Sequence, residues 1–138
     1  MISLEKERAL RTMENDMLWL LEQKGSKGYR WASTKRDLVE MVHEVWLRGV
    51  VYDFTGRVLP FTHLLKRVCD IVGVAVPKKP TSMLDNIAHR KDQEHLAITN
   101  RYMQILRSMH RNNPQLSLFN DERPILRFLE RREERRAA

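Results

Sequence analysis

The sequence predicts a mainly α-helical, compact domain of about five helices with a small β-hairpin. Apolar residues make up 42% of the 138 residues, and many recur every three or four positions, as on one face of a helix. Glycine and proline number only five each, and they separate these periodic segments. A chain of this length has room for one packed core, which argues against full disorder and disfavours an enzyme built from two lobes.

The first part of the chain predicts two helices joined by a loop. Residues 3–23 carry apolar side chains at helical spacing and predict the first helix. Residues 24–32 (KGSKGYRWA) are expected to form a loop because they contain two glycines and a serine. Ser33 or Thr34 is then expected to cap a second helix that ends near Arg48.

The middle of the chain predicts a hairpin that leads into a third helix. Residues 50–59 (VVYDFTGRVL) place β-branched and aromatic residues on both sides of a Thr-Gly pair, which is typical of a short hairpin. Pro60 precedes the third helix, for which Thr62 is the expected cap. Gly73 is the expected end of this helix.

The remainder predicts two more helices and a tail. Residues 82–90 and 92–109 have helical periodicity, and an Asn-Asn-Pro sequence follows them. We therefore expect a helical domain over residues 1–111 and a tail over residues 112–138. The tail holds a short apolar motif and then a charged, helix-prone end.

The charge balance favours a polyanionic partner. The chain has 25 Lys and Arg against 18 Asp and Glu, a net charge of +7 with His neutral. Such a balance is typical of proteins that bind nucleic acid or an anionic membrane surface. In the second helix, Asp37, Glu40 and Glu44 recur at spacings of three and four, which predicts a solvent-facing acidic stripe that phosphates would repel.

The third helix is the first candidate for DNA contact. Its predicted buried face is apolar, and His63, Lys66, Arg67 and Asp70 recur on the opposite face. A helix with a packed back and a basic front suits the major groove, although lysines and arginines are also usual on a merely solvated surface. Further basic residues flank this helix in the sequence: Arg57, Lys78 and Lys79.

The loop before the second helix is the second candidate. It interleaves Tyr29 and Trp31 with basic residues, a composition that suits phosphate contacts together with stacking on bases or sugars. The alternative is that Trp31 fills the core beside the start of the helix. The basic residues of this region are Lys24, Lys27, Arg30, Lys35 and Arg36.

A run of residues in the second helix resembles a known family. Residues 31–42 (WASTKRDLVEMV) resemble the W-x-x-S/T-K-x-x-L-V-E-L-I segment of RteC-like proteins. Gly56, the apolar helix over residues 64–72 and His89-Arg90-Lys91 then follow in the order of that family, so the resemblance covers residues 18–109.

The resemblance implies a DNA-binding regulator of excision or transfer genes on a Bacteroides-type conjugative element. It also implies a winged-helix-like fold, in which the hairpin would be the small β element. Lys66 and Arg67 would then contact DNA, and basic residues elsewhere would contact phosphates. Those phosphate contacts would be Lys35, Arg36, Arg57, Arg90 and Lys91.

A pentapeptide in the tail favours a different class of function. Gln115-Leu116-Ser117-Leu118-Phe119 resembles the peptide by which bacterial proteins bind a replication sliding clamp. An extended segment after a helix breaker could insert Leu118 and Phe119 into a pocket of the clamp. The alternative is that Leu116, Leu118 and Phe119 fold back onto the helical core.

Catalysis is the least supported class. The sequence has no glycine-rich phosphate loop, nucleophile elbow or zinc pattern, so we expect neither enzymatic activity nor a cofactor. Glu40-x-x-His43 and Asp92-x-x-His95 resemble half of a di-metal site, but both histidines are expected at the surface. The single Cys69 is expected in the core.

The expected location is the cytoplasm. The N-terminal residues are charged and lack the apolar region of a secretory signal, and no stretch approaches the ~20 apolar residues that span a bilayer. In the tail, Leu126, Phe128 and Leu129 could dock the charged end on the body or pair two chains, which would allow a homodimer that reads two half-sites.

Overall fold

The structure, a computed structural model, describes residues 3–23, 28–88, 98–112 and 124–131. Within these ranges, five helices and one two-stranded antiparallel sheet make up the regular elements, so the predicted mainly helical fold is confirmed. In chain order the elements are α1 (Leu4–Glu22), β1 (Tyr29–Trp31), α2 (Lys35–Leu47), α3 (Phe61–Val72), α4 (Pro80–Ala88), α5 (Ile98–Asn112) and β2 (Leu129–Arg131).

Side-chain caps start the first two helices, and the cap of the second is one of the two that the sequence predicts. The Ser3 hydroxyl accepts a hydrogen bond from the Lys6 amide at 3.1 Å, and the Thr34 hydroxyl accepts one from the Asp37 amide at 3.1 Å. After α2 the chain turns at Gly49, whose φ of 66° lies in the left-handed region that glycine adopts at low cost.

The core lies between α1, α2, α3 and α5. Helix α1 packs mainly along α5, and α2 packs against α1, α3, α4 and α5. The largest fully buried side chains are Tyr102, Met13, Met17, Leu20, Leu38, Met41, Leu64, Leu65, Ile98, Val39, Val42 and Val45. Trp31 is also buried, with its indole N–H donating to the Thr34 carbonyl at 2.7 Å, so its predicted place in the core is confirmed.

The predicted acidic stripe on α2 is wrong for two of its three residues. Asp37 and Glu40 are buried, because α5 packs across this part of α2. A Glu40 carboxylate oxygen accepts a hydrogen bond from the Ile98 amide at 2.7 Å, and burial raises the pKa of Glu40. Asp37 accepts from Arg101 at 2.6 Å. These carboxylates therefore fasten α5 to α2 rather than face solvent.

The predicted hairpin is present, but the cap predicted for α3 is wrong. One β-bridge pairs Tyr52 with Val58 in antiparallel orientation. Pro60, rather than Thr62, holds the N-cap position, since the Leu64 amide bonds to the Pro60 carbonyl at 3.0 Å and Thr62 lies within the helix. Helix α3 ends at Gly73 as predicted, with a φ of 71°.

The ends of the last two helices differ from the prediction. Helix α4 begins at Pro80 rather than Ser82, because the fixed φ of proline suits the first helical position and its missing N–H is not needed there. Helix α5 continues past Met109 to Asn112. The predicted end of the fourth helix, at residue 90, and the predicted start of the fifth, at residue 92, lie outside the described residues.

The two-stranded sheet lies where the sequence predicts a loop and a helix-prone end. Strand β1 falls in the predicted loop, and β2 pairs with it so that Tyr29 is opposite Arg131 and Trp31 is opposite Leu129. Residues 127–138 have helix-forming composition, but Leu129–Arg131 are a strand because their backbone bonds to a distant partner.

Residues 124–131, the C-terminal segment, pack against the helical core. The Phe128 ring lies 5.7 Å from the Trp31 ring and 5.9 Å from the Tyr102 ring, centroid to centroid. Leu126 and Leu129 also contact the core, so these apolar residues dock on the chain's own body.

The C-terminal segment is fastened by one buried carboxylate of α1. Asp16 is fully buried, and its oxygens accept hydrogen bonds from the amides of Ile125 (2.9 Å) and Leu126 (3.0 Å). The hydroxyl of Tyr102 in α5 donates to the same carboxylate at 2.5 Å. Desolvation by burial outweighs these hydrogen bonds and raises the pKa of Asp16 from 3.8 to about 6.

Candidate nucleic-acid interface

Helix α3 separates an apolar face from a polar one. Its buried residues are Leu64, Leu65, Val68, Cys69, Ile71 and Val72. The α3 outer face, defined as His63, Lys66, Arg67 and Asp70, is exposed as predicted. Three of these four side chains carry or can accept a positive charge, and the single acid lies toward the C-terminal end of the helix.

The N-terminal end of α3 is also open to an anion. Among the described residues no side chain caps this end, and its first turn contains no acidic residue. Unpaired N–H groups and the helix dipole give a helix N-terminus a partial positive charge. The first two turns of α3 therefore combine backbone donors with His63, Lys66 and Arg67.

The hairpin before α3 carries Arg57 on a well-ordered turn. A single Asp53 carboxylate oxygen accepts hydrogen bonds from the Thr55 amide (2.8 Å), the Thr55 hydroxyl (2.5 Å) and the Arg57 amide (3.1 Å). The hydrogen bond from the Thr55 hydroxyl is the main cause that lowers the pKa of Asp53. Arg57 itself is exposed next to this turn.

The start of α2 carries two more exposed cations, of which Lys35 lies near α3. Lys35 and Arg36 are exposed in the first turn of α2. Lys35 lies close enough to Cys69 on α3 for its charge to act on that thiol, although burial dominates and raises the pKa of Cys69 to about 11. Cys69 is fully buried, so its predicted place in the core is confirmed.

Two more of the predicted cations lie beyond α3, and four lie outside the described residues. Lys78 and Lys79 are exposed in the link between α3 and α4. The predicted contact residues that lie outside the described ranges are the cations Lys24, Lys27, Arg90 and Lys91 and the pentapeptide residues Gln115, Leu116, Leu118 and Phe119.

Arg30 differs from the other candidate contacts because it is ion-paired. Its guanidinium donates from two nitrogens to one Glu130 oxygen, at 2.9 and 2.6 Å, across the β1–β2 pair. The partner lies 100 residues away in sequence, so local charge patterns could not reveal it. Both side chains are more than half exposed, and Glu130 competes with any phosphate for Arg30.

Removing Glu130 should release Arg30 for a phosphate. We expect Glu130→Ala to strengthen binding to duplex DNA about fivefold at 0.15 M salt, since one added phosphate contact changes the salt slope by about 0.9. The free energy of unfolding should change by less than about 1 kcal/mol, because exposed ion pairs contribute little. Glu5→Ala is the matched control, since it breaks the exposed Glu5–Arg107 pair between α1 and α5. If fluorescence anisotropy shows that the two variants change the affinity for DNA equally, Arg30 is not part of the interface.

Sequence reasoning missed an exposed apolar group on the hairpin. Phe54 is fully exposed, at 101%, and the exposed fractions of Tyr52 and Val58 are 56% and 46%. The only signal in the sequence was the position of Phe54 between Asp53 and Thr55-Gly56, the usual residues of a turn.

Metal and membrane sites receive no support from the described residues. No group of three or more His, Cys, Asp or Glu side chains in that part of the chain is placed to hold a metal ion. His43 is half-buried, rather than at the surface as predicted, because its ring packs 5.7 Å from Trp46 and 5.5 Å from Phe61. None of the described helices has the length and apolar composition needed to cross a membrane.

Comparison with known proteins adds no relative. The chain matches no protein-family model, no curated protein and no solved structure. The RteC-like resemblance of residues 18–109 accordingly stays a prediction from the sequence.

Proposed function

We propose that this protein binds double-stranded DNA, with the α3 outer face in the major groove. The observation that carries the proposal is the amphipathic α3, whose buried side is wholly apolar and whose exposed side presents Lys66 and Arg67 beside an uncapped N-terminus. An α-helix with its side chains is ~10–12 Å wide, and the major groove is ~12 Å wide, so the two fit.

The exposed cations divide into two roles. Lys66 and Arg67 project from the middle of α3 and contact base edges, where both residue types pair with guanine. The other exposed cations contact phosphates and hold α3 in register: Lys35, Arg36, Arg57, Lys78 and Lys79.

Asp70 fixes which end of α3 enters the groove. It lies on the same face as Lys66 and Arg67 but one turn closer to the C-terminus, where its charge repels phosphates. The part of α3 that precedes Asp70 is therefore the part that approaches DNA. This polarity matches the usual docking of recognition helices, whose N-terminal residues contact the bases.

The biological setting follows from the sequence resemblance alone. We propose a cytoplasmic transcription regulator of a mobile genetic element, which acts by binding rather than by catalysis. Sliding-clamp binding through residues 115–119 and a homodimer stay predictions, since no contact among the described residues favours either.

The salt dependence of binding tests this function. We expect fluorescence anisotropy of a labelled random duplex to give a slope of log affinity against log salt of about −4 to −5, because five phosphate contacts contribute about 0.9 each. Because the duplex has a random sequence, recognition of specific bases does not contribute to the measured affinity. Absence of binding at 50 mM salt would exclude the proposed function despite the net charge of +7.

A further inference from the structure

The hairpin presents an aromatic ring that none of the described residues covers. Phe54 lies at the apex of the turn between Tyr52 and Val58 and is fully exposed, at 101%. Other large apolar side chains with high exposure, such as Leu4 at 62% and Leu47 at 60%, lie at helix ends. An uncovered phenyl ring gains free energy from any partner that removes it from water.

Hydrogen bonds order the backbone of the turn that carries this ring. Below it, Val51 and Leu59 are buried, and the Leu59 amide donates to the Val51 carbonyl at 2.8 Å. Above them, the Asp53 amide donates to the Arg57 carbonyl at 2.7 Å. The Asp53 carboxylate closes the apex through its three hydrogen bonds. Because the backbone that presents the ring is already ordered, it loses little conformational entropy when the ring binds.

The charges around the ring favour DNA over a protein pocket as its partner. Arg57 is exposed on the same hairpin, and the chain runs from Leu59 through Pro60 directly into the basic first turns of α3. The one acid of the turn, Asp53, keeps its charge, but its carboxylate accepts hydrogen bonds from inside the turn. A partner that offers negative charge and flat apolar surface together therefore suits this place, as a duplex does through its phosphates and stacked bases.

We propose that Phe54 inserts between two base pairs from the minor groove and bends the DNA, while α3 occupies the adjacent major groove. This inference rests on the proposed function and adds a second, shape-dependent contact to it. Apolar wedges of this kind partly unstack a base step and kink the duplex, at least cost where the step is flexible, such as TA or CA. Arg57 would then contact a phosphate beside the insertion.

The test compares DNA bending by the protein and by Phe54→Ala. The probe is a 30-base-pair duplex with a central TA step and a donor and acceptor dye at its ends, so that bending raises energy transfer. We expect the unaltered protein to bend this duplex, whereas Phe54→Ala leaves it straight and binds it about tenfold more weakly. The salt slope should not change, because no charge is removed. Phe54→Trp should restore bending, since an indole ring can serve as the wedge.

Two controls separate this inference from the proposed function. Leu4→Ala removes another exposed apolar side chain, from α1, and should change neither bending nor affinity. The melting temperature of Phe54→Ala should equal that of the unaltered protein, because Phe54 has no buried surface to lose. If the unaltered protein and Phe54→Ala bind the duplex equally well and bend it equally, the insertion of Phe54 is wrong and the proposed DNA binding stands. If the unaltered protein does not bind DNA at all, both are wrong.

Discussion

We expect the protein to become more stable as the pH falls from 7 to 4.5, with Asp16 as the main cause. Its pKa is about 6 in the folded chain against an ordinary value of 3.8. A carboxyl group with a raised pKa binds its proton more tightly in the folded state, so protonation stabilises the fold. That stabilisation is fully present below pH 3.8 and is lost as the pH rises through 6.

The size of this effect follows from the two pKa values. One pKa unit corresponds to about 1.4 kcal/mol, which makes the whole contribution about 3 kcal/mol. About 2 kcal/mol of it falls between pH 7 and pH 4.5, where unfolding is readily measured. Glu40 acts in the same direction, because burial also raises its pKa.

Asp16→Asn isolates the contribution of Asp16. Urea unfolding followed by tryptophan fluorescence would give the free energy of unfolding for both proteins at pH 4.5, 5.5 and 7. Because Asn does not titrate, the advantage of the unaltered protein over the variant should shrink by about 2 kcal/mol as the pH rises. Glu40 and all other groups titrate alike in both chains and cancel. A difference that is the same at all three pH values would contradict the burial of an ionised Asp16.

Tyr102→Phe provides a second check on the same carboxylate. The Tyr102 hydroxyl favours the ionised form of Asp16 by donating a hydrogen bond to it. Without that donor the pKa of Asp16 should rise further, so the loss of stability with rising pH should continue to a higher pH and become larger. The variant should therefore be destabilised more at pH 7 than at pH 4.5.

Sequence reasoning succeeded where the determining contacts are local. The cap of α2 and the glycine that ends α3 depend on neighbours within one turn, and both were predicted. The division of α3 into a buried face and the exposed Lys66 and Arg67 depends only on helical periodicity.

Sequence reasoning failed where a distant segment changes the environment of a residue. Asp37 and Glu40 have the spacing of a solvated stripe, yet α5 covers them from about 60 residues away. In the same way β1 and β2 exist only because each supplies the other's hydrogen-bonding partner. Burial of Asp16 depends on both α5 and the C-terminal segment, and no local pattern indicates it.

The polar residues that stabilise the fold are different from those that we propose to contact DNA. Asp16, Asp37 and Glu40 are buried, and each fastens one element to another. The cations of the α3 outer face, by contrast, do not hold α3 in place, because the helix packs on the core through the apolar residues of its opposite face. Substituting Lys66 or Arg67 should therefore change binding without loss of the fold.

The largest effect on binding is expected from Lys66→Ala combined with Arg67→Ala. If both side chains contact base edges, their loss should weaken binding to a selected DNA sequence at least 30-fold, at about 1–3 kcal/mol for each contact. Binding to random DNA should weaken far less, so that discrimination between the two is nearly lost. The selected sequence would be obtained by enrichment from a random duplex pool, and both affinities measured by fluorescence anisotropy at 0.15 M salt.

Lys78→Ala combined with Lys79→Ala is the matched control, because it also removes two exposed positive charges. As phosphate contacts, these lysines should weaken selected and random DNA equally and reduce the salt slope by about 1.8. Lys6→Ala with Arg11→Ala, which removes two exposed cations from α1, controls for net charge alone. Equal losses in all three variants would mean that binding depends on total charge and that α3 does not read the bases. Loss of discrimination in the first variant alone would identify α3 as the reading element, since only base contacts distinguish one sequence from another.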